Sequence, residues 1–205
     1  MSFEELGIND KILRGVFSYG YEKPSNIQHE SIPLINTGKD LIAQAQSGTG
    51  KTGSFCIGIL NNIDINNDSI QSIIMCPTHE LVYQCYEVIS NLNNYLNANI
   101  ITLVGKTPVS ENITQLRMNK PHIIVGTPGR ILDMIERNEL FTNHIKILTI
   151  DEADEMLSTG FLESMYKIIR YLPTTSQICL FSATMPDSVL DLSEKFMSEP
   201  NRILV

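Results

Sequence analysis

Residues 45–52 read A-Q-S-G-T-G-K-T, a glycine-rich turn that ends in Lys51 and Thr52. In such a turn, backbone N–H groups can surround a triphosphate, while Lys51 reaches the outer phosphates and the Thr52 hydroxyl faces Mg²⁺. An apolar segment precedes the turn and a helix-compatible run follows it, which is the strand–loop–helix context that phosphate binding requires. Ala45 replaces the first glycine of the usual pattern, so read alone the turn is also compatible with a flexible loop.

A second motif, D-E-A-D at residues 151–154, follows the apolar run 145–150. Asp151 can hold the metal ion, and Glu152 can orient a water molecule for attack on the γ-phosphate. The glycine-rich turn and the acidic tetrapeptide together predict nucleotide hydrolysis.

Apolar, strand-like runs alternate with amphipathic, helix-like runs along the chain. The strand candidates are 40–45, 72–76, 99–104, 122–125, 145–150, 177–181 and 202–205. The helix candidates are 9–19, 25–36, 52–63, 79–95, 128–137, 161–171 and 187–196. Many strand candidates are rich in Ile, Val and Leu with little alternation, as expected of strands covered on both faces. The order predicts an α/β fold with a mostly parallel central sheet of about seven strands, helices on both faces, and ligands beyond the carboxyl ends of the strands.

The composition predicts one large domain without a membrane span. The chain has 205 residues, 42% of them hydrophobic, and no apolar run reaches the length of about 18 residues that a span needs. Its N-terminus lacks the basic start and apolar core of a signal peptide, so we expect a cytoplasmic protein. Four cysteines form no Cys-x-x-Cys pair, and we expect reduced core residues rather than a zinc site or disulfides. They are Cys56, Cys76, Cys85 and Cys179.

The charge balance limits how the chain can hold nucleic acid. Fifteen Lys and Arg against 23 Asp and Glu give a net charge of −8, which argues against a broad basic surface. Contacts to nucleic acid should therefore be local, made by backbone N–H groups, helix N-termini and a few cations. Binding by this chain alone should be weak.

An N-terminal segment, G-Y-E-K-P-S-N-I-Q at residues 20–28, fits no core-packing pattern. The Gln28 amide can pair with both a donor and an acceptor on one edge of adenine, and Phe3 can pack on the base. The alternative is a loop followed by a capped helix, because Ser25 and Gln28 have the spacing of a capping box. The residues alone leave both readings open.

Three further motifs follow strand candidates. P-T-H-E-L at residues 77–81 and T-P-G-R at 127–130 each begin a helix, and helix N-termini suit phosphate groups. Arg130 adds a cation; the alternative for both motifs is ordinary capping by a threonine. S-A-T at residues 182–184 offers two hydroxyls that can hydrogen-bond Asp154, or forms a plain turn with an N-cap.

Taken together, these motifs resemble those of the DEAD-box ATP-dependent RNA helicases, in order and over nearly the whole chain. The flanking sequences D-E-A-D-E-M-L-S-T-G-F and K-F-M-S-E-P-N-R-I-L-V are most similar to the eukaryotic translation initiation factor 4A group. The resemblance implies that residues 1–205 form the N-terminal RecA-like P-loop domain, with an adenine-recognition segment at 1–30 and a core at 38–205. It also implies that the second RecA-like domain of the family is absent from this chain.

The resemblance assigns roles to individual residues. The residues expected to contact ATP are Phe3, Tyr21, Lys23, Gln28, Ala45, Gln46, Ser47, Gly48, Thr49, Gly50, Lys51 and Thr52. The catalytic residues are expected to be Lys51, Asp151 and Glu152, and the Mg²⁺ ligands Thr52 and Asp151. The residues expected to couple nucleotide state to RNA are Asp154, Ser182 and Thr184. Sequence-independent contacts to the RNA sugar-phosphate backbone fall on Pro77, Thr78, Gly105, Thr127, Gly129 and Arg130.

Two residues depart from the family pattern, both on the RNA side. His79 stands where the family usually has arginine, and a neutral imidazole contributes far less to phosphate binding than a guanidinium. Lys106 follows Gly105 where the family commonly has a glycine pair, which adds a charge and removes flexibility.

The resemblance implies the ATP-binding half of a helicase that couples ATP hydrolysis to RNA unwinding or remodelling. The subgroup similarity points to translation initiation, with initiation factors as partners. Because the second domain supplies arginines that are worth about 10³–10⁵ in rate, we expect the isolated chain to be nearly inactive. The alternative is a standalone module that binds ATP, RNA or a partner protein without unwinding. A P-loop ATPase of unrelated function is disfavoured by the Gln28 segment and by S-A-T.

Overall fold

The computed structural model describes residues 2–205 and contains one seven-stranded sheet in which every neighbouring pair of strands is parallel. The strands are β1 Leu41–Gln44, β2 Ser72–Met75, β3 Ile100–Leu103, β4 Ile123–Gly126, β5 Ile147–Ile150, β6 Gln177–Ser182 and β7 Asn201–Leu204. Their spatial order is β3-β4-β2-β5-β6-β1-β7. The predicted α/β fold and parallel sheet are confirmed.

The described residues also contain nine helices, after a short 3₁₀ helix at Phe3–Leu6; the first two precede β1, and the others lie between strands. They are α1 Asp10–Tyr19, α2 Asn26–Asn36, α3 Lys51–Asn62, α4 His79–Leu92, α5 Val109–Asn119, α6 Pro128–Glu136, α7 Ala153–Ser158, α8 Leu162–Tyr171 and α9 Asp187–Phe196. Pro128 opens α6 at a position where its missing N–H leaves no hydrogen bond unmade, as its place in the sequence predicts.

The sequence prediction missed α5 and α7. Helix α5 buries only Asn112 and Leu116, so it has no apolar stripe to reveal a helical period. Helix α7 has six residues and begins inside the D-E-A-D motif, which is too short for a periodic pattern.

The core lies on both faces of the sheet. Alternate residues of one strand enter opposite hydrophobic clusters: Ile74 packs with the cluster that contains residues of α1 to α4, and Ile73 with the cluster that contains residues of α6, α8 and α9. Because both faces are buried, the strands read as continuous apolar runs instead of alternating ones. All four cysteines are free and buried, which confirms their interpretation as core residues.

Parallel strands bring their carboxyl ends to one edge of the sheet. The segments that follow β1, β2, β4, β5 and β6 therefore all open at this edge, and they carry the motifs of the sequence. Among the helices of residues 2–205, none combines the length and apolar character needed to cross a membrane.

Candidate functional site

The glycine-rich turn forms a tight loop between β1 and α3. Gly48 (φ +81°) and Gly50 (φ +98°) adopt left-handed backbone conformations that glycine tolerates without steric penalty. No side chain caps the N-terminus of α3 at Gly50, so its first N–H groups remain available to an anion, which the helix dipole also favours. Gln46, Ser47 and Gly48 are exposed at the crest of the loop, and Ala45 is buried at its base.

The two nucleotide motifs meet at the carboxyl edge of the sheet. Lys51 Nζ lies 3.1 Å from Glu152 Oε1, and the two side chains are only 6% and 19% exposed. A glycine-rich turn and an acidic motif that are distant in the sequence thus form one partly buried charged pair. Lys51, which is expected to reach the phosphates, therefore lies directly beside Glu152, which is expected to orient water.

Asp151 is buried beside this pair. Burial, and then the negative charge of Glu152, raise the pKa of the Asp151 carboxyl to about 7, although the nearby Lys51 ammonium acts in the opposite direction. A bound divalent cation reverses such a shift, because it favours the ionised carboxylate. Thr52, in the first turn of α3, is partly buried and follows Lys51 directly. The Asp151 carboxylate and the Thr52 hydroxyl are thus oxygen ligands of the kind that Mg²⁺ prefers.

Glu152 has an unusual backbone. Its φ of +52° and ψ of 53° place a non-glycine residue in the left-handed region, at the N-cap of α7. This conformation costs on the order of 1–3 kcal/mol and is concentrated at functional sites. The backbone N–H of Glu152 donates to Asp151 Oδ1 at 3.0 Å, which orients the Asp151 carboxylate against the backbone of Glu152.

The S-A-T segment binds Asp154, which is one of the two readings that its sequence left open. The Thr184 hydroxyl and backbone N–H both donate to Asp154 Oδ2, at 2.7 and 3.1 Å, and the Asp154 N–H donates to Ser182 Oγ at 3.1 Å. Partial burial acts to raise the pKa of Asp154, but hydrogen bonds from Thr184 and Ser182 outweigh it and hold this pKa below its usual value. The end of β6 and the start of α7 are therefore joined through an ionised carboxylate.

Gln28 forms the capping box that its spacing from Ser25 predicts, while adenine recognition stays a prediction. Its Oε1 accepts the Ser25 N–H at 2.9 Å, and its own N–H donates to Ser25 Oγ at 3.5 Å, so a capping box opens α2. Its Nε2 donates to the Gly50 carbonyl at 3.3 Å. The Gln28 side chain is 3% exposed, and this hydrogen bond attaches residues 20–28 directly to the glycine-rich turn.

The aromatic residues of this segment form a layered cluster. Phe3 is fully buried, and its ring stacks on that of Tyr21 at a centroid distance of 6.2 Å. The expectation that Phe3 packs on the base is therefore wrong for this structure, because the ring has no exposed face; Tyr21 is the partly exposed aromatic in front of it. Tyr19 meets Tyr21 edge-on at 5.0 Å. Lys23 is exposed.

The segments that follow β2, β3 and β4 lie side by side at the same edge. Thr78 caps α4 by accepting the Leu81 N–H at 3.2 Å, so ordinary capping holds for P-T-H-E-L. Pro77 and Thr127 are buried, and Gly105 and Gly129 are exposed. A side chain added at Gly105 would begin 3.9 Å from His79 Nε2, so the two departures from the family pattern border one surface.

Three neutral oxygens hold the Arg130 guanidinium in place. It donates to the Thr107 carbonyl at 2.7 Å, to Asn112 Oδ1 at 2.6 Å and to the Gly105 carbonyl at 3.3 Å. The side chain thus holds the loop after β3 against the start of α6, and its contact with RNA stays a prediction. No pattern in the sequence pointed to its partner Asn112, because α5 was not predicted.

A comparison with protein-family models identifies the DEAD/DEAH box helicase model over residues 25–192. This match covers most of the chain and includes the glycine-rich turn, the D-E-A-D motif and S-A-T. The chain belongs to the DEAD/DEAH box helicase family.

Curated relatives in this family include initiation factors. The chain is 48% identical over 204 residues to eukaryotic initiation factor 4A of Caenorhabditis elegans, with all of the chain and 50% of the relative covered. It is 49% identical over 203 residues to the ATP-dependent RNA helicase eIF4A of Lodderomyces elongisporus, with 99% and 51% covered. The chain therefore spans about half the length of these relatives.

Solved structures of DEAD-box proteins share the fold. A DEAD box protein from Methanococcus jannaschii superposes with a TM-score of 0.95 at 40% identity, covering 100% of the chain and 56% of the solved one. The Saccharomyces cerevisiae protein Dbp5, solved bound to RNA and ADP BeF3, has a TM-score of 0.90 at 33% identity, covering 100% and 52%. These similarities confirm the RecA-like architecture expected from the sequence.

Proposed function

We propose that this chain is the ATP-binding half of an ATP-dependent RNA helicase, which couples ATP hydrolysis to unwinding or remodelling of RNA. The 3.1 Å contact between Lys51 and Glu152 carries the proposal, because it brings a phosphate-binding cation and a water-orienting carboxylate to one place. The names of the relatives, eukaryotic initiation factor 4A and ATP-dependent RNA helicase eIF4A, support a role in translation initiation in the cytoplasm, with other initiation factors as partners.

On the nucleotide side, each residue has a specific task. The loop N–H groups and Lys51 bind the phosphates, and Lys51 must leave Glu152 to do so. That exchange frees the Glu152 carboxylate to accept a hydrogen bond from the attacking water. Thr52 and Asp151 would hold Mg²⁺, which supplies charge neutralisation at the phosphates when it is bound.

On the RNA side, the segments that contain Pro77, Thr78, Gly105, Thr127 and Gly129 lie side by side. The N-termini of α4 and α6 in these segments would face phosphates without reading bases. The Asp154 hydrogen bonds to Ser182 and Thr184 tie the helix of the D-E-A-D motif to β6. A shift of α7 on nucleotide exchange is thereby transmitted beyond the nucleotide site. The mechanism requires a second RecA-like domain, as implied by relatives about twice as long as this chain.

Steady-state ATPase measurements, with and without single-stranded RNA, test the proposal. We expect the chain alone to bind ATP weakly and to hydrolyse it about 10³–10⁵ times more slowly than the same chain joined to a second RecA-like domain, because that domain supplies the arginines. RNA-stimulated turnover near 1 s⁻¹ from the chain alone would contradict the two-domain account. A chain that binds neither ATP nor RNA would contradict the proposal as a whole.

Replacement of His79 by arginine tests the RNA surface. The added guanidinium beside Gly105 is expected to raise affinity for single-stranded oligouridine about threefold to tenfold at low salt, and to steepen the dependence of log K on log salt by about 0.7. Fluorescence anisotropy of a labelled RNA measures both quantities. His144 is exposed before β5, at the opposite edge of the sheet, so His144→Arg adds the same charge as a control. Equal gains from both variants would show a general charge effect and refute the placement of RNA.

A further inference from the structure

Asn112 is a buried amide on α5, a helix that otherwise buries only Leu116. Asn112 Oδ1 accepts a hydrogen bond from Arg130 Nη1 at 2.6 Å, and Asn112 Nδ2 donates to Gln115 Oε1 at 3.2 Å. Both ends of the amide are therefore satisfied, which offsets the cost of burying a polar group. Asn112 thus attaches Arg130 to α5 from inside the protein.

The acceptors around the Arg130 guanidinium are all uncharged. Nη1 donates to Asn112 Oδ1 and to the Thr107 carbonyl, and Nη2 donates to the Gly105 carbonyl. These oxygens fix the planar guanidinium in one orientation, but they do not cancel its positive charge. Arg130 is only partly buried and Gly105 beside it is exposed, so the charge lies at the protein surface.

Two other arginines of the chain are paired with carboxylates instead. Arg117 donates through Nε and Nη2 to the two oxygens of Glu139, at 2.9 and 2.6 Å. Arg137 donates through Nε to Asp133 at 2.9 Å. Arg130 forms no ion pair with any of residues 2–205. Its neutral partners thus leave this cation without a counter-charge in the part of the chain that the structure describes.

The Arg130 guanidinium also keeps N–H groups for a further anion. Its three hydrogen bonds use both N–H groups of Nη1 and one of Nη2, so Nε and Nη2 each retain an N–H that donates to no acceptor among the described residues. These are the same two nitrogens with which Arg117 holds both oxygens of Glu139. A phosphate presents a matching pair of oxygens and forms bidentate contacts of this kind.

We propose that Asn112 is a positioning residue for RNA: its neutral oxygen holds the Arg130 guanidinium in place and leaves the positive charge available to an RNA phosphate. The inference rests on the proposed function, in which the chain contacts the sugar-phosphate backbone of RNA. A carboxylate at residue 112 would hold Arg130 as firmly and would cancel its charge. The amide therefore differs from a carboxylate here in charge and not in shape.

Asn112→Asp tests this difference, because aspartate has the size of asparagine and keeps an oxygen that accepts from Arg130. The Gln115 amide can rotate so that its NH₂ group donates to the new carboxylate, and the melting temperature should therefore not fall. Fluorescence anisotropy of labelled oligouridine at several salt concentrations measures RNA affinity. Losing one phosphate contact should lower the affinity about fivefold to tenfold at roughly 50 mM salt and reduce the slope of log K against log salt by about 0.7.

Asn119→Asp is the matched control for this variant. It makes the same chemical change in the last residue of α5, at an exposed position about 10 Å along the helix from Asn112. Because salt screens a surface charge over such a distance, RNA affinity should change by less than about twofold. Equal losses from Asn112→Asp and Asn119→Asp would show a general charge effect and overturn the inference.

Asn112→Ala separates the position of Arg130 from its charge. The substitution removes an acceptor and keeps the cation, so RNA affinity should fall about threefold, the usual cost of ordering one long side chain on binding, while the salt slope stays unchanged. An affinity equal to that of the unmodified chain would show that Asn112 does not position Arg130.

A double variant tests whether Asn112 acts through Arg130. In Arg130→Gln the guanidinium is absent, so adding Asn112→Asp to this variant should lower RNA affinity by less than about twofold, as in the exposed control. A further loss of about fivefold to tenfold in the double variant would show that residue 112 acts by another route, and the inference would fail.

The outcomes distinguish the inference from the function on which it rests. If the unmodified chain binds no oligouridine at low salt, the RNA contact of the proposed function fails. If the unmodified chain binds RNA and Asn112→Asp binds it equally well, the role of Asn112 is refuted and the proposed function stands.

Discussion

Replacing Glu152 with glutamine is expected to lower ATP turnover of the two-domain enzyme by about 10²–10⁴-fold, the range typical of a lost general base. Nucleotide binding should survive. Glutamine keeps the size and the hydrogen-bonding reach of the side chain, but its amide is a poor acceptor for the proton of an attacking water. Turnover is measured by steady-state phosphate release, and binding by titration with a non-hydrolysable ATP analogue.

The environment of Glu152 indicates that binding will improve slightly. The negative charge of Glu152 is one of the causes that raise the pKa of Asp151, after burial. Its removal makes Asp151 easier to ionise, and an ionised carboxylate is the form that holds Mg²⁺. The substitution also releases Lys51 from its ion pair, so Lys51 reaches the phosphates without first breaking a contact.

Glu155→Gln provides the matched control for this experiment. Glu155 lies in the same helix α7 and is exposed, so Glu155→Gln makes the same chemical change outside the Lys51–Glu152 ion pair. Its turnover should stay within about twofold of the unmodified enzyme, as is usual for surface substitutions. Loss of nucleotide binding in Glu152→Gln would show instead that Glu152 has a structural role, for example in maintaining its left-handed backbone.

Much of the fold can be predicted from the sequence, because strands that are buried on both faces consist almost entirely of apolar residues. All four residues of β2 are buried, and its run of Ser72–Met75 is apolar almost throughout. An element that buries few residues has no such apolar pattern. Helix α5 carries a mostly polar sequence, and only its packing against β3 and its contact with Arg130 show its place.

The site could be predicted only as far as local motifs extend. The glycine-rich turn around Lys51 and the acidic motif around Asp151 can be recognised because each motif is continuous in the sequence. The contact of Gln28 with Gly50 joins separate segments, and no local pattern encodes it. The burial of Phe3 likewise depends on how the 3₁₀ helix packs against Tyr21, which the residue type alone does not determine.

Replacing Asp151 with asparagine should make the metal-free protein more stable at pH 8 while removing Mg²⁺-dependent nucleotide binding. The folded-state pKa of Asp151, about 7, is above the ordinary value of 3.8. The folded state therefore binds the proton more tightly than the unfolded state, so the stability that this group contributes is present at low pH and is lost as pH rises through about 7. Asparagine is neutral at every pH and lacks this loss.

The size of the effect follows from the same linkage. Between pH 5 and pH 8 the unmodified chain should lose on the order of 2 kcal/mol of unfolding free energy relative to Asp151→Asn, since one pKa unit corresponds to about 1.4 kcal/mol. Urea denaturation at the two pH values, in the presence of a chelator, measures the difference. Asp191→Asn, at an exposed position in α9, is the control and should not alter the pH dependence.

The same variant then separates stability from function. Mg²⁺ should strengthen ADP binding to the unmodified chain and to Asp191→Asn, but not to Asp151→Asn, because the neutral amide replaces the anionic oxygen that would hold the cation. A stabilised Asp151→Asn that still responds to Mg²⁺ would show that the metal lies elsewhere. A variant without the expected gain at pH 8 would show that the pKa of Asp151 is not raised in the folded protein, because Lys51 would then offset its burial. The expected pair of results, higher stability and no metal response, would show that Asp151 lowers folding stability in order to keep a cation site available.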